Sequence, residues 1–397
     1  MKKIFNKKKY LLKYILLLII SLLFFIMKKY INYKINFIIP KNKNNLFQNL
    51  RLEFFKKGKN YINNCLKGFY KNNNYSNVLM NPIISVIIPI FNCEKTINAT
   101  LRSIQNQNFT KIEIILINDL SKDNTLRIIT NFQKEDLRIK IINNNKNMGT
   151  LYSRCIGVLM SKSRFIFPLD NDDMFFDEDV LDYIYNIGNK GNFDIVEFKT
   201  ILTSNYNNSI TQMEDHHLCN HENNLILHQP ELGLFPIFKN GEYGAYDVNI
   251  WGKCIKTEIY KKSVNSLGIK RYSNFVSWGE DTLMIFIIFN IAESFIFIYK
   301  YGVIHLYCST TASFVQPLKI KIFGELFLID IYFDYLKNNT SKNYVAEYIL
   351  NNNLLKNIKD KKNIIYFKTI LKKILESNYI NKLNKKKIKN NFAYLFK

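Results

Sequence analysis

Short apolar, β-branched runs alternate with amphipathic stretches through the middle of this 397-residue chain, the pattern of an α/β fold with a Rossmann-like, mostly parallel sheet flanked by helices. The runs recur at a near-constant pitch, and polar or acidic residues gather just past each of them. Residues 83–88 (IISVII) are too short for a helix and are closed by Pro89. Ile97, Leu101 and Ile104 then follow at helical spacing. A second run, 112–117 (IEIILI), precedes a helix over 125–132. A third, 139–142, precedes a helix over 151–160 with Leu151, Cys155, Val158 and Leu159 on one face, and the fourth is 164–169 (RFIFPL). Later, 283–298 reads as a buried helix interrupted by Asn290, Glu293 and Ser294, followed by a strand over 295–299. Lys321, Glu325, Asp330 and Asp334 make 320–336 an amphipathic helix.

Charge is distributed unevenly. The net +24 resides at the ends: +16 over residues 1–81 and +11 over 317–397, against −3 over 82–316. A slightly acidic core is a poor match for a phosphate backbone, so nucleic acid is excluded as the main partner. Five lysines (Lys2, Lys3, Lys7, Lys8, Lys9) precede an apolar run over 11–27 that Lys28 and Lys29 close, which predicts a single-pass anchor with a cytoplasmic amino end. The alternative is a cleaved signal peptide, although no small-x-small site follows Met27. The expected organisation is a cytoplasmic tail (1–10), a transmembrane signal anchor (11–29), a stem (30–81), an α/β half with the alternating runs (82–199), a more irregular half (200–316) and a basic helical extension (317–397). That topology is type II, with the core in the lumen of the Golgi or endoplasmic reticulum. The six cysteines form no C-x-x-C pair and read as buried thiols.

In sheets of this kind ligands bind beyond the carboxyl ends of the strands. Pro89, Phe91 and Asn92 stand past the first run, Asn118 and Asp119 past the second, Asn143, Asn144 and Asn145 past the third, and Asp170-Asn171-Asp172-Asp173 past the fourth. Carboxylates crowded on one rim repel one another unless a cation is present. With little His or Cys among them, they suit Mg²⁺ or Mn²⁺ shared with substrate phosphates.

With those residues in place the chain resembles the family-2 glycosyltransferases of GT-A fold. The likeness runs through SVIIPIFN (85–92), EIILINDLSKDNT (113–125), NMGTLYSRCIGV (147–158), FPLDNDD (167–173), WGKCIKTEIY (251–260) and GEDTLM (279–284). It implies a metal-dependent, inverting transfer from a nucleotide sugar, a UDP-sugar first, to a carbohydrate or glycoconjugate acceptor. By this resemblance Pro89, Phe91, Asn92 and Glu94 lie against the nucleotide, Asp119 bonds the base, and Arg154 stands near the diphosphate. Asp170 and Asp172 match the D-x-D pair, the first towards the ribose and the second on the metal. Asp281 falls at the general base, and Trp251 and Lys253 match a less specific W-x-K element. Departures are Asn118, where the family often has an acid, and Leu120, where it often has Gly.

Blander readings stand beside these. Asp170–Asp172 suits an ordinary turn, and Asp281 suits a helix cap. His216, His217, Cys219 and His221 have zinc-ligand chemistry, but their Asn- and acid-rich flanks favour a solvated loop. His305 suits either a metal contact or a satisfied structural histidine. A catalytically inactive relative that binds the nucleotide sugar is the alternative function, and a basic membrane- or nucleic-acid-binding protein the more distant one.

Overall fold

A computed structural model describes residues 56–57, 60–68, 71, 81–204, 214–216, 225–228 and 249–307, with isolated positions at 317, 320, 321, 324, 327, 331 and 386. The chain divides into two compact units, Met1–Lys57 and Gly58–Lys397, and the sheet belongs to the second. The expected tail, anchor, most of the stem, the 217–221 loop and most of the carboxyl-terminal extension lie outside the described residues. Among the described residues no helix is long and apolar enough to cross a membrane.

Among the described residues ten strands form one sheet: β1 (Ile84–Ile90), β2 (Ile112–Asn118), β3 (Ile139–Asn143), β4 (Phe165–Pro168), β5 (Met174–Phe175), β6 (Ile195–Thr203), β7 (Glu214–His216), β8 (Leu225–His228), β9 (Lys253–Lys256) and β10 (Ser294–Leu306). The helices are α1 (Ile97–Gln105), α2 (Thr125–Glu135), α3 (Thr150–Met160), α4 (Val180–Gly191), α5 (Thr257–Leu267), α6 (Ile269–Tyr272) and α7 (Glu280–Ile291). The order β3-β2-β1-β4 is parallel throughout, as expected of strands joined by crossover helices. Beyond β4 the expectation of a mostly parallel sheet needs correction. The path continues β9-β6-β10-β5, with β9 antiparallel to both neighbours, β10 parallel to β6 and β5 antiparallel to β10. Among the described residues, β9 is entered from the Trp251-Gly252 turn.

Both faces of the sheet are covered. Ile84, Val86, Ile88 and Ile90 point into one core and Ile87 into the other, which is why β1 reads as an unbroken apolar run rather than an alternating one. Gly157 brings α3 against the sheet: a Cβ there would lie 2.4 Å from Ile87 Cγ2 and 2.7 Å from Ile117 Cδ1. Helix α7 is buried on nearly every side from Leu283 to Phe289, which accounts for its uniform hydrophobicity. Phe327 and Ile331, at helical spacing with Ile320 and Gly324, are buried in the same core, in keeping with the amphipathic helix read there.

The short helical stretch at 60–66 packs on the domain. Tyr61, Ile62 and Cys65 are buried, the Tyr61 hydroxyl donates to Ser103 O, and Gln107 Nε2 donates to Tyr61 Oη at 2.9 Å. Lys71 Nζ reaches Glu178 at 2.5 Å and Asn108 Oδ1 at 2.7 Å.

Candidate active site

The carboxyl ends of β1, β2 and β3 are joined by the chain itself. Asp119 N donates to Ile90 O at 2.8 Å, and Asn144 N to Asn118 O at 2.9 Å. Past β1, Asn92 has φ 47° and accepts from Lys122 N at 2.8 Å, while its own N–H donates to Ser121 Oγ. Glu94 accepts from Asn124 N at 2.9 Å and Nδ2 at 3.0 Å, and returns its N–H to Asp123. Leu120 has φ 62° and is 43% exposed, a left-handed position that strains a residue with a side chain.

Asp119 is buried and serves as a brace. Its Oδ1 accepts from Met148 N and Asn144 Nδ2, each at 2.8 Å, and its Oδ2 from Gly149 N at 2.7 Å. Gly149 sits at φ +86° with its α-carbon pressed on the Val276 backbone, where a Cβ would come within 2.8 Å of Val276 O. Leu151 N donates to that same carbonyl at 3.0 Å. One short chain of contacts therefore ties Asp119 to the loop that leads into α7.

These loops surround a cleft of ≈ 670 Å³. Pro89, Phe91, Asn92, Glu94, Asp119, Arg154, Asp170 and Asp172, all expected in the site, line it, and so do Phe275 and Glu280, which the sequence reading did not place there. Asp281 is not among the lining residues. Its Oδ1 accepts from Arg154 Nη1 at 2.5 Å. Arg154 is buried at the floor and also donates through Nη2 to Asp170 at 2.9 Å, with Glu280 at 3.8 Å. One cation thus faces three carboxylates.

That leaves negative charge in excess. Burial, then Asp173 and Asp170, push the Asp172 carboxyl up to about 8. Burial, then Asp281, push Glu280 up to about 8. Asp281 also rises by burial, with Arg154 opposing. Asp173 is fully buried: burial raises it against the pull of His305, whose Nδ1 lies 2.8 Å from Asp173 Oδ1. Burial disfavours the charged His305 ring, yet Asp173, Asp170 and Asp172 together raise it to about 9. Asp173 Oδ2 is buried with no hydrogen-bond partner.

A divalent cation fits this donor set. Asp170, Asp173 and His305 each offer one ligand atom, all within 4.8 Å of one another. The sequence reading put the metal on Asp172. Ligand atoms of Asp170, Asp173 and His305 converge, and Asp172, like Asp170, lines the cleft beside them. The signal for Asp173 was the doubled acid at the end of the turn. For His305 it was a histidine near the carboxyl end of a strand, where this sheet collects ligands.

Residues 85–246 match the family described as glycosyl transferase family 2. This chain carries a family-2 glycosyltransferase domain. Over 93 residues it is 39% identical to a GalNAc(5)-diNAcBac-PP-undecaprenol beta-1,3-glucosyltransferase of Campylobacter jejuni, covering 23% of this chain and 30% of that protein. Over 117 residues it is 36% identical to the poly(ribitol-phosphate) beta-N-acetylglucosaminyltransferase TarP of Staphylococcus aureus, covering 28% and 35%. The first curated relatives are matched over only 29–38% of their own length. Among solved structures, S. aureus TarS 1-349 in complex with UDP-GlcNAc superposes with TM-score 0.55 at 16% identity, over 74% of this chain and 81% of that one, a likeness of fold. The family-2 match stops at residue 246, so Trp251, Glu280, Asp281 and His305 lie beyond it.

Proposed function

We propose that this protein is a metal-dependent, inverting glycosyltransferase that moves a sugar from a UDP-sugar to a hydroxyl of a carbohydrate or glycoconjugate acceptor. The observation that carries the reading is the acidic turn whose Asp170 and Asp172 line a ≈ 670 Å³ cleft, together with strand-end loops already held in shape. A volume in this range accommodates ligands of nucleotide-sugar size. Named relatives transfer glucose or N-acetylglucosamine, and TarS was crystallised with UDP-GlcNAc, which supports a UDP donor.

In this reading Pro89, Phe91, Asn92 and Glu94 contact the nucleotide, and Asp119 holds the loop beneath the base. Arg154 meets the diphosphate. Asp172 and the Asp170, Asp173 and His305 group hold Mn²⁺ or Mg²⁺, whose contribution when bound is to neutralise charge on the leaving diphosphate. Asp281 takes the acceptor proton, an assignment that requires it to exchange its Arg154 contact for the acceptor hydroxyl, since Glu280 is the carboxylate that lines the cleft. The apolar run over 11–27 tethers the domain to a membrane. The named relatives are bacterial, and placement in a secretory lumen rests on the amino-terminal sequence alone.

The test is release of UDP from UDP-GlcNAc and UDP-glucose by the full-length protein, with Mn²⁺ and after chelation. Cation-dependent release is expected. Equal release after chelation would overturn the metal requirement, and binding of UDP-sugar without any turnover would establish an inactive relative instead.

A further inference from the structure

The W-x-K element has no part in the reading above, yet its tryptophan touches the acidic turn through one intermediary. The Trp251 indole lies flat on the His305 imidazole, with ring centroids 4.5 Å apart and planes 15° from parallel. His305 in turn meets Asp173, the fully buried acid of the turn. Trp251 is itself only 6% exposed, so the stack is internal.

The turn that presents the indole is fixed from below. Lys253, with no exposed surface, places its ammonium 3.3 Å from Glu197 on β6 and donates to Asn249 O at 2.7 Å. Gly252 has φ +73°, and a Cβ there would approach Thr200 Oγ1 to 3.0 Å. Phe198 N donates to Gly252 O at 2.9 Å. The Asn249–Lys253 turn is thus held by backbone, by a buried ion pair and by a glycine in the left-handed region, and Trp251 inherits that rigidity. An imidazole side chain has a soft terminal torsion. Rotation about it would break the Nδ1 contact with Asp173 and move the histidine's ligand atom relative to Asp170 and Asp173. A flat ring in parallel contact opposes that rotation, whereas a tetrahedral aliphatic side chain of similar bulk does not match the imidazole face.

We propose that Trp251 is a positioning residue: by stacking on His305 it holds the imidazole against Asp173 and so sets the geometry that the acidic turn offers to a hard divalent cation. The W-x-K element is then the outer support of the cation site, with Lys253 as its anchor and the indole as its working end. This rests on the reading of Asp170, Asp173 and His305 as cation ligands.

The experiment measures Mn²⁺ affinity of the full-length protein by calorimetry in the presence of UDP, with thermal unfolding recorded alongside. Trp251→Leu keeps apolar bulk and loses the flat ring. Its Mn²⁺ affinity is expected to fall roughly 10–100-fold, the usual cost of losing a group that orients a metal ligand. Trp251→Phe restores a flat ring and should bind close to wild type, although both variants remove the indole and disturb packing alike. Trp251→Met replaces the leucine variant should the latter fail to fold. Wild-type affinity in Trp251→Leu, or an equal loss in Trp251→Phe, would overturn the proposal. His305→Gln separates the two levels. If it leaves Mn²⁺ affinity unchanged, the cation reading fails together with this inference. If it weakens affinity while Trp251→Leu does not, the inference fails alone.

Discussion

The two lips of the cleft hold their carboxylates in opposite ways. On the strand-end side, Glu94, Asp119 and Asp123 accept hydrogen bonds from backbone N–H groups and amide side chains. For Asp123, burial alone would raise the carboxyl, but hydrogen bonds from Thr125 and Glu94 N outweigh it, hold its pKa below the ordinary carboxylate value and favour the charged form. On the opposite side, Asp170, Asp172 and Glu280 line the cleft and Asp173 and Asp281 stand behind them, with Arg154 and His305 as the cations shown among them. There burial prevails, and Asp172 and Glu280 are both raised to about 8. The first lip is complete as built. Among the described residues the second shows more carboxylates than cations, and that imbalance is the physical argument for a bound divalent ion.

The comparison breaks most visibly at Asp172. Asp172→Ala should abolish donor binding measured by calorimetry with Mn²⁺, because it removes charge where cation and diphosphate meet. Unchanged nucleotide affinity would move the cation to Asp170, Asp173 and His305 alone.

Next in size is Asp281→Asn, for which transfer should fall by about 10²–10⁴ in kcat while donor and Mn²⁺ binding persist. More than about a tenth of wild-type turnover, well above the loss of a positioned base, would assign the proton to Glu280, the carboxylate that lines the cleft. Arg154→Met tests the ion cluster as architecture. With the arginine only 2% exposed and its acids left facing one another, stability in urea should drop by about 3–5 kcal/mol. Asp119→Asn on the other lip should cost less, about 1–3 kcal/mol, since it disturbs acceptors of backbone bonds without stranding a cation.

The smallest effect is a slope. In cation-free protein the folded state keeps protons on Asp172 and Glu280 that the unfolded chain has released, between their ordinary values of 3.8 and 4.5 and about 8. Stability should therefore decline as pH rises through that interval. His305 acts in the same sense between 6.5 and about 9, where the folded state alone holds its proton. Thermal unfolding from pH 5 to 9 should show the decline, Glu280→Gln should flatten it, and a rising profile would refute the charge deficit.

The first four strands were legible because a strand covered on both faces spells a continuous β-branched run, and their ligand residues follow at fixed offsets. Beyond β4 the signal fades for a physical reason. β5 is two residues long and β9 four, too short to display a period, and β9 owes its place to neighbours on both sides. In the site, Asp119 and the acidic turn were readable from composition at strand ends. The partners of Asp119 were not, since the backbone amides of Met148 and Gly149 leave no mark in a sequence. Nor was the pairing of Asp173 with His305, separated by 132 positions. The salt bridge of Arg154 to Asp281, at a separation of 127, shows that the expected diphosphate contact and the expected base are bound to each other.

The docking of Tyr61, Ile62 and Cys65 against α1 bears on how the protein is handled. A chain cut to begin at residue 82, where the first strand pattern starts, would strip three buried side chains from the domain and uncover the hydroxyl-binding carbonyl of Ser103 and the amide of Gln107. The uncovered face would expose apolar surface that the domain otherwise buries, which favours self-association during expression. Soluble preparations should therefore start ahead of residue 60, even though everything recognisable as catalytic begins more than twenty positions later.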